Sequence, residues 1–272
     1  MRKCCICESD KYSVQYRVVD GFRLLKCSRC FLVYLDNKVD PAKFINDAKD
    51  GCQSENKQIE YWSFPEMYNK YSFVFDKFFY ERLHRCLQYN NNIKSVFDIG
   101  AGYGFWMAYC YRQGIEVKGI ELSEETVKYG REDLGLDIEK ASLIDFHFNK
   151  QYDLYNFCDV LEHLENPNEN LRAIYNAMKS ESILYIQVPD VLGIRIPFKH
   201  NLGFPHHIWQ FNFNTLKTLL EKNGFKILKK WYGVQGVVGC YEKNKVTLFE
   251  KLKWSFANKF NLGNRLIVLC KK

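Results

Sequence analysis

Two groups of residues have types and spacings that can do chemistry. The first is a pair of Cys-x-x-Cys units, Cys4 with Cys7 and Cys27 with Cys30. Each unit presents two thiolates at the spacing of a metal knuckle, and two units complete a soft four-sulfur set suited to tetrahedral zinc. A closed four-cysteine set has no open coordination position, which assigns the metal to folding and not to catalysis. Cys5, next to Cys4, competes for the same role, and a redox or uncoordinated thiol group is the other reading of these cysteines. The second group is the run Asp98-Ile-Gly-Ala-Gly-Tyr-Gly104, in which an acidic residue precedes three alternating glycines at Gly100, Gly102 and Gly104. Glycines at these positions supply a backbone that reaches positive φ and carries no side chain, so a ligand can approach it closely. A dinucleotide site would use G-x-G-x-x-G, whose third glycine falls at Phe105, so the pattern favours a different cofactor. Glu121 closes the next apolar run, Val117 to Ile120, where a carboxylate offers paired acceptors for a vicinal diol. Two further strings, Cys158 to Asn166 and Pro205 to Phe211, bring an Asp, two Glu and three histidines, and imidazole titrates near neutrality, where it can take a proton from a hydroxyl.

With Asp98 to Gly104 and Glu121 together, roughly the last two thirds of the chain resembles the class I S-adenosylmethionine-dependent methyltransferases. The D-V-L-E-H-L-x-x-P string from Asp159 to Pro167 is the next most family-specific feature. The resemblance implies cofactor contacts from Asp98, Gly100, Ala101, Gly102 and Gly104, from Glu121 and Leu122 at the ribose, and from Cys158 and Asp159 beside the methionine portion. Related enzymes place an Asp at the adenine amino group; here the alignment puts Ser142 and Leu143 there, with Asp145 three residues on. His207 stands at the position of a family histidine in an E-H-x-x-x-F string, with His206 replacing the usual Glu. His207 is therefore the first candidate general base and His163 the second. A neutral histidine held inside a loop is the bland reading of both. The first forty residues resemble a zinc ribbon.

The elements that must position these groups follow from the pattern. Val96, Phe97 and Ile99 read as a buried strand, and Phe105 to Arg112, free of Pro and Gly, as the helix after the glycine turn. Strands and helices then alternate: Val117 to Ile120, Glu124 to Leu134 behind a Ser123 N-cap, Tyr152 to Phe157, Ser182 to Val188, a helix Thr215 to Asn223 capped by Asn214, and Phe225 to Trp231. Val246 to Phe260 reads as an amphipathic cover helix and Arg265 to Cys270 as a last strand, which the family inserts antiparallel. The fold class expected is α/β, a Rossmann-like seven-stranded, mostly parallel sheet with helices on both faces, preceded by the ribbon and a helical lid. The expected divisions are a ribbon over 1–37, a linker and lid over 38–94, and the methyltransferase domain over 95–272. Tyr12 to Val19 and Phe22 to Leu25 supply a ribbon hairpin around Asp20-Gly21. Phe75, Phe78, Phe79 and Arg82 share one helix face suited to packing under the main domain, while Tyr61, Trp62 or Tyr68 could close over the cleft.

The 272 residues and 47% hydrophobic content are ample for a packed core. The formal charge of +7 would permit an anionic partner, but its 39 basic residues are scattered and form no nucleic-acid footprint. Met1-Arg2-Lys3 leads straight into cysteines, and no run of eighteen apolar residues could span a bilayer, so a cytosolic protein with reduced thiols is expected. The function expected is methyl transfer from S-adenosylmethionine to a small-molecule acceptor, a hydroxyl of a sugar or glycan precursor. A zinc-ribbon ribosomal RNA methyltransferase and a cofactor-binding scaffold without turnover are the alternatives.

Overall fold

A computed structural model describes residues 2–19, 21–38, 65–196, 203, 206–233 and 247–272. The lid aromatics Tyr61 and Trp62, Asp20 of the expected hairpin turn, and residues 197–202, 204 and 205 lie outside the described residues. β1 (Tyr12–Val19) and β2 (Phe22–Cys27) form the ribbon hairpin, and β3 (Val33–Leu35) pairs antiparallel with β2. α1 (Pro65–Leu87) follows, broken at Tyr71, where φ is −125° and ψ 26°. The catalytic core then runs β4 (Ser95–Ile99), α2 (Phe105–Arg112), β5 (Glu116–Glu121), α3 (Glu124–Glu132), β6 (Ile138–Lys140), β7 (Leu154–Cys158), α4 (Pro167–Ala177) and β8 (Ile183–Pro189). After β9 (Trp209–Gln210) come α5 (Phe213–Lys222), β10 (Lys226–Gly233), α6 (Leu248–Lys259) and β11 (Arg265–Lys271).

Seven strands make the central sheet in the order β10-β11-β8-β7-β4-β5-β6. β4 to β8 are parallel, and β11 lies antiparallel between β8 and β10. The expected fold class is the observed one. The central strands are buried on both faces, which is why β4 reads as an almost continuous apolar run and not an alternating one. On one face α1 lays Phe75, Phe79 and Leu83 against Trp106 and Tyr109 of α2. Arg82 shares that face, and its guanidinium sits 4.8 Å from the Trp106 ring centroid.

Two helix starts differ from the sequence reading. α5 is capped by Asn212 and not Asn214: the Asn212 side chain accepts from the Thr215 N–H at 3.0 Å, and Thr215 Oγ1 accepts from the Asn212 N–H at 3.0 Å. The reciprocal pairing needs a hydroxyl three residues beyond the cap, and only Asn212 has one there. Ser123 stands at the start of α3, but its side chain makes no cap hydrogen bond. Tyr68, a lid candidate, is buried and stacked on Phe105 with ring centroids 4.1 Å apart. Its hydroxyl accepts from Arg112 at 3.1 Å, so it fastens α1 to α2 instead of closing over a cleft.

The ribbon is not an appendage on a tether. Its sheet has the order β1-β2-β3-β9, so its fourth strand is contributed by residues beyond β8. Leu25, Leu32 and Tyr34 share one apolar cluster with Ile208, Trp209 and Phe211 and with the α4 and α5 faces that cover the central sheet. Among the described residues no helix is long and apolar enough to cross a membrane.

Candidate active site and metal centre

β4 delivers Asp98 to the middle of the sheet, opposite Gly119 of β5 and Asn156 of β7. Asp98 is buried and accepts from the Asn156 amide at 2.5 Å. Burial pushes its carboxyl up to about 7; the Asn156 hydrogen bond and Arg82 oppose that rise, and the charge of Glu121 adds to it. The chain then turns through Gly100, Gly102 and Gly104, at φ of 70°, 55° and 84°. A Cβ on Gly100 would stand 2.4 Å from Cγ2 of Val160, so this glycine lets the turn press against the segment after β7. At Gly102 a Cβ would meet nothing within 4 Å, which leaves open space over the turn where a ligand can lie. Ala101 is half-buried between the two.

Glu121 ends β5 on the far side of that turn. One carboxylate oxygen accepts from the Gly102 N–H at 2.9 Å, and the other accepts from the N–H groups of Leu122 at 2.6 Å and Ser123 at 3.1 Å. These bonds fix the carboxylate at the rim of the glycine turn. Leu122, beside it, exposes an apolar side chain. Ser142 donates its hydroxyl to Asp145 at 2.5 Å, so the two residues weighed for the adenine amino group are bonded to each other. Leu143 points into the core and offers a ligand only its backbone. Glycine turn, diol-competent carboxylate and open space over Gly102 fit the adenosine and methionine portions of S-adenosylmethionine.

Across the strand ends, β7 finishes at Cys158, whose thiol donates to Asn156 at 3.4 Å. Asp159 adopts φ 52°, uncommon for a residue with a side chain, and is held there by its N–H to the Gln187 carbonyl at 2.8 Å and by the Gln187 amide on its carboxylate at 2.7 Å. Arg265 of β11 lies 3.4 Å from the other carboxylate oxygen. A 3₁₀ turn, Leu161–His163, follows. It brings His163 to His207, with ring centroids 4.8 Å apart, although 43 residues separate the two segments that the His163 Nδ1 contact with the His206 carbonyl joins at 3.0 Å. Burial pushes His163 down to about 4 and His207 well below the usual imidazole range, so both rings are neutral at physiological pH. Glu162 is buried, with a carboxylate oxygen within 4.8 Å of a ring nitrogen of each. Glu162 stands in the string from Asp159 to Pro167, whereas Asn156, Gln187 and Arg265 enter the sequence analysis only as strand residues. The Glu-His dipeptide was a visible signal for Glu162; the other three act through strand pairing.

The methyltransferase-domain family model matches residues 67–230, more than half of the chain. The chain belongs to that family. Its structure is similar to that of an S-adenosylmethionine-dependent methyltransferase from Archaeoglobus fulgidus, with a TM-score of 0.53, 24% identity, and coverage of 74% of this chain and 100% of that one. It is also similar to one from Clostridium acetobutylicum ATCC 824, with a TM-score of 0.51, 14% identity, and coverage of 75% and 98%. The [4+2]-cyclase SpnF matches with a TM-score of 0.51 and 14% identity over 72% of this chain and 81% of its own. At these identities the likeness shows the fold. No curated protein matches the chain. The family makes this an S-adenosylmethionine-dependent methyltransferase, and methyl transfer requires an acceptor.

Within the ribbon the four cysteines converge. Sγ of Cys4 lies 3.3 Å from Cys30, Cys7 lies 3.4 Å from Cys27, and Cys7 lies 3.9 Å from Cys30. Four sulfurs bound at ~2.3 Å around one tetrahedral ion would stand ~3.8 Å apart, so the set could hold zinc after small adjustments. Cys5 points into the apolar cluster, where burial raises its thiol well above the usual range, which separates it from the set.

Proposed function

We propose that this methyltransferase acts on a hydroxyl of a small-molecule acceptor, a sugar or glycan precursor, by in-line displacement. The observation that carries the reading is the division of the strand ends into two sides. Glu121 and the glycine turn form one side, and Asp159, Glu162, His163 and His207 form the other, where an acceptor would enter. S-adenosylmethionine supplies a sulfonium methyl that is already electrophilic, so the chain has only to align nucleophile and methyl group. Asp98, the backbone from Gly100 to Gly104, Glu121 and Leu122 would hold the cofactor, with Cys158 and Asp159 bordering its methionine end. His207 and His163 border the acceptor. His207 is the first candidate base and His163 the second; burial lowers both, so each rests as the neutral imidazole that could accept the hydroxyl proton. The sugar class rests on the resemblance of the ribbon-plus-methyltransferase layout to enzymes that methylate sugars.

We further propose that Cys4, Cys7, Cys27 and Cys30 hold a structural zinc, that the ribbon spans 1–37, and that the protein works in a reducing, cytoplasmic setting that keeps these thiols free. The test of function is transfer from labelled cofactor to a panel of nucleotide-linked sugars, read as S-adenosylhomocysteine formed. Transfer to a member of the panel is expected. Inactivity across the panel together with salt-sensitive methylation of RNA would replace the sugar reading by the ribosomal one, and cofactor binding without turnover on either would favour a scaffold.

A further inference from the structure

Glu162 is 1% exposed, and neither carboxylate oxygen has a hydrogen-bond partner. A buried carboxylate in that state is costly, and protonation does not relieve it, because the neutral acid would bury a hydroxyl donor that also lacks an acceptor. The group nearest to it is His163, whose Nε2 lies 3.8 Å from Glu162 Oε1, beyond hydrogen-bond reach. The tautomer of His163 is set by its other nitrogen. Nδ1 faces the His206 carbonyl at 3.0 Å, and a carbonyl can only accept, so Nδ1 carries the proton and Nε2 presents a lone pair. His207 adds a third donor: its Nδ1 is buried without a hydrogen-bond partner. Two imidazoles and a carboxylate thus place ligand atoms within 4.8 Å of one another. Gly203 shapes the same corner, since a Cβ there would lie 2.1 Å from His207 Nδ1.

We propose that Glu162, His163 and His207 form a binding site for a divalent first-row metal ion, separate from the ribbon. Two neutral imidazoles and one carboxylate are the donor set such ions take with coordination positions left open. A cation bound at ~2.1 Å holds its ligand atoms ~3.0–4.2 Å apart, and the Oε1 to Nε2 separation of 3.8 Å already falls in that range. The contact of Nδ1 with a backbone carbonyl is the outer support that fixes a ligating histidine in the required tautomer. The ion would pair the buried carboxylate, which has no hydrogen-bond partner, and would be coordinated by both rings. Open positions on such an ion would suit an oxygen of the acceptor. That role rests on the methyl-transfer reading above, but the existence of the site does not.

The probe is Mn²⁺, which takes nitrogen and oxygen donors and is a poor competitor for a four-thiolate site. Metal-stripped full-length protein is titrated with Mn²⁺, and the free ion is followed by electron paramagnetic resonance. Protein equilibrated with Zn²⁺ is analysed in parallel for metal per chain. The expectation is one Mn²⁺ per chain, weakened at least tenfold in both Glu162→Gln and His207→Ala, and two zinc ions per wild-type chain against one in either variant. S-adenosylmethionine affinity, set at Glu121, shows that the variants are folded, and two variants on separate segments guard against a local collapse in one. The site is refuted if the wild type takes up no Mn²⁺ and only one zinc, or if both variants bind as the wild type does. Either result would leave methyl transfer itself standing, since cofactor binding and turnover are read independently of metal uptake.

Discussion

Trp209 joins the two sheets, and removing it should separate them. Its backbone pairs with Tyr34 of β3, its indole N–H donates to the Leu164 carbonyl at 2.7 Å, and its ring centroid lies 5.8 Å from that of Tyr34. It is 2% exposed and among the largest fully buried side chains. Trp209→Ala therefore removes a whole indole from a packed interface and leaves the Leu164 carbonyl without its donor. Truncating a buried Trp costs ~3–5 kcal/mol. Trp209→Phe keeps an aromatic ring and loses the hydrogen bond and part of the volume, for which ~1–2 kcal/mol is expected. The assay is urea unfolding of the full-length, zinc-loaded protein at pH 7, with midpoints and slopes fitted for wild type and both variants. His207 lies two residues before Trp209, and the Ile208 N–H donates to the Glu162 carbonyl at 2.8 Å, so the alanine variant should also lose methyl transfer while cofactor affinity holds. A loss below ~1 kcal/mol in Trp209→Ala, or equal losses in the two variants, would refute the argument that this side chain fastens ribbon to core.

Three further outcomes are expected. Glu121→Ala removes the acceptor pair at the rim of the glycine turn and should weaken S-adenosylmethionine binding by ~1.5–3 kcal/mol in titration calorimetry; unchanged affinity would show that the ribose is held elsewhere. Cys27→Ser should abolish the ribbon zinc in elemental analysis and destabilise the 208–211 segment as well, because ribbon and segment share one cluster; retained metal would exclude the four-cysteine site. Asp98 keeps its proton up to about 7 in the folded chain but ionises at the ordinary carboxylate value when unfolded, so its contribution to stability is present at low pH and is lost as pH rises toward 7. Asp98→Asn should therefore stabilise the cofactor-free protein at pH 8 relative to pH 4, by an amount on the order of 4 kcal/mol at most, and a variant with the wild-type pH slope in urea unfolding would contradict the burial of that charge.

Much of the catalytic domain is determined locally and could be read from the chain. The strand before Asp98, the glycines after it and the carboxylate ending β5 are a contiguous strand-turn-helix-strand unit, whose backbone demands fall on residues close in sequence. The two Cys-x-x-Cys units are legible for the same reason, since each knuckle carries its own spacing. The cap of α5 was misplaced because a nearby residue decided it: Thr215 selected Asn212. What only the tertiary structure decided lies in contacts between distant segments. The sequence shows neither that β9 completes the ribbon sheet nor that Tyr68 is locked beneath α2. Glu162 and His163 meet His207 because β7, β9 and the ribbon pack around one apolar cluster, and residues more than forty apart become ligand-distance neighbours through that packing. A histidine in a sequence has an ordinary pKa and two possible tautomers; burial and one backbone carbonyl removed both freedoms in His163, and no spacing rule carries that information.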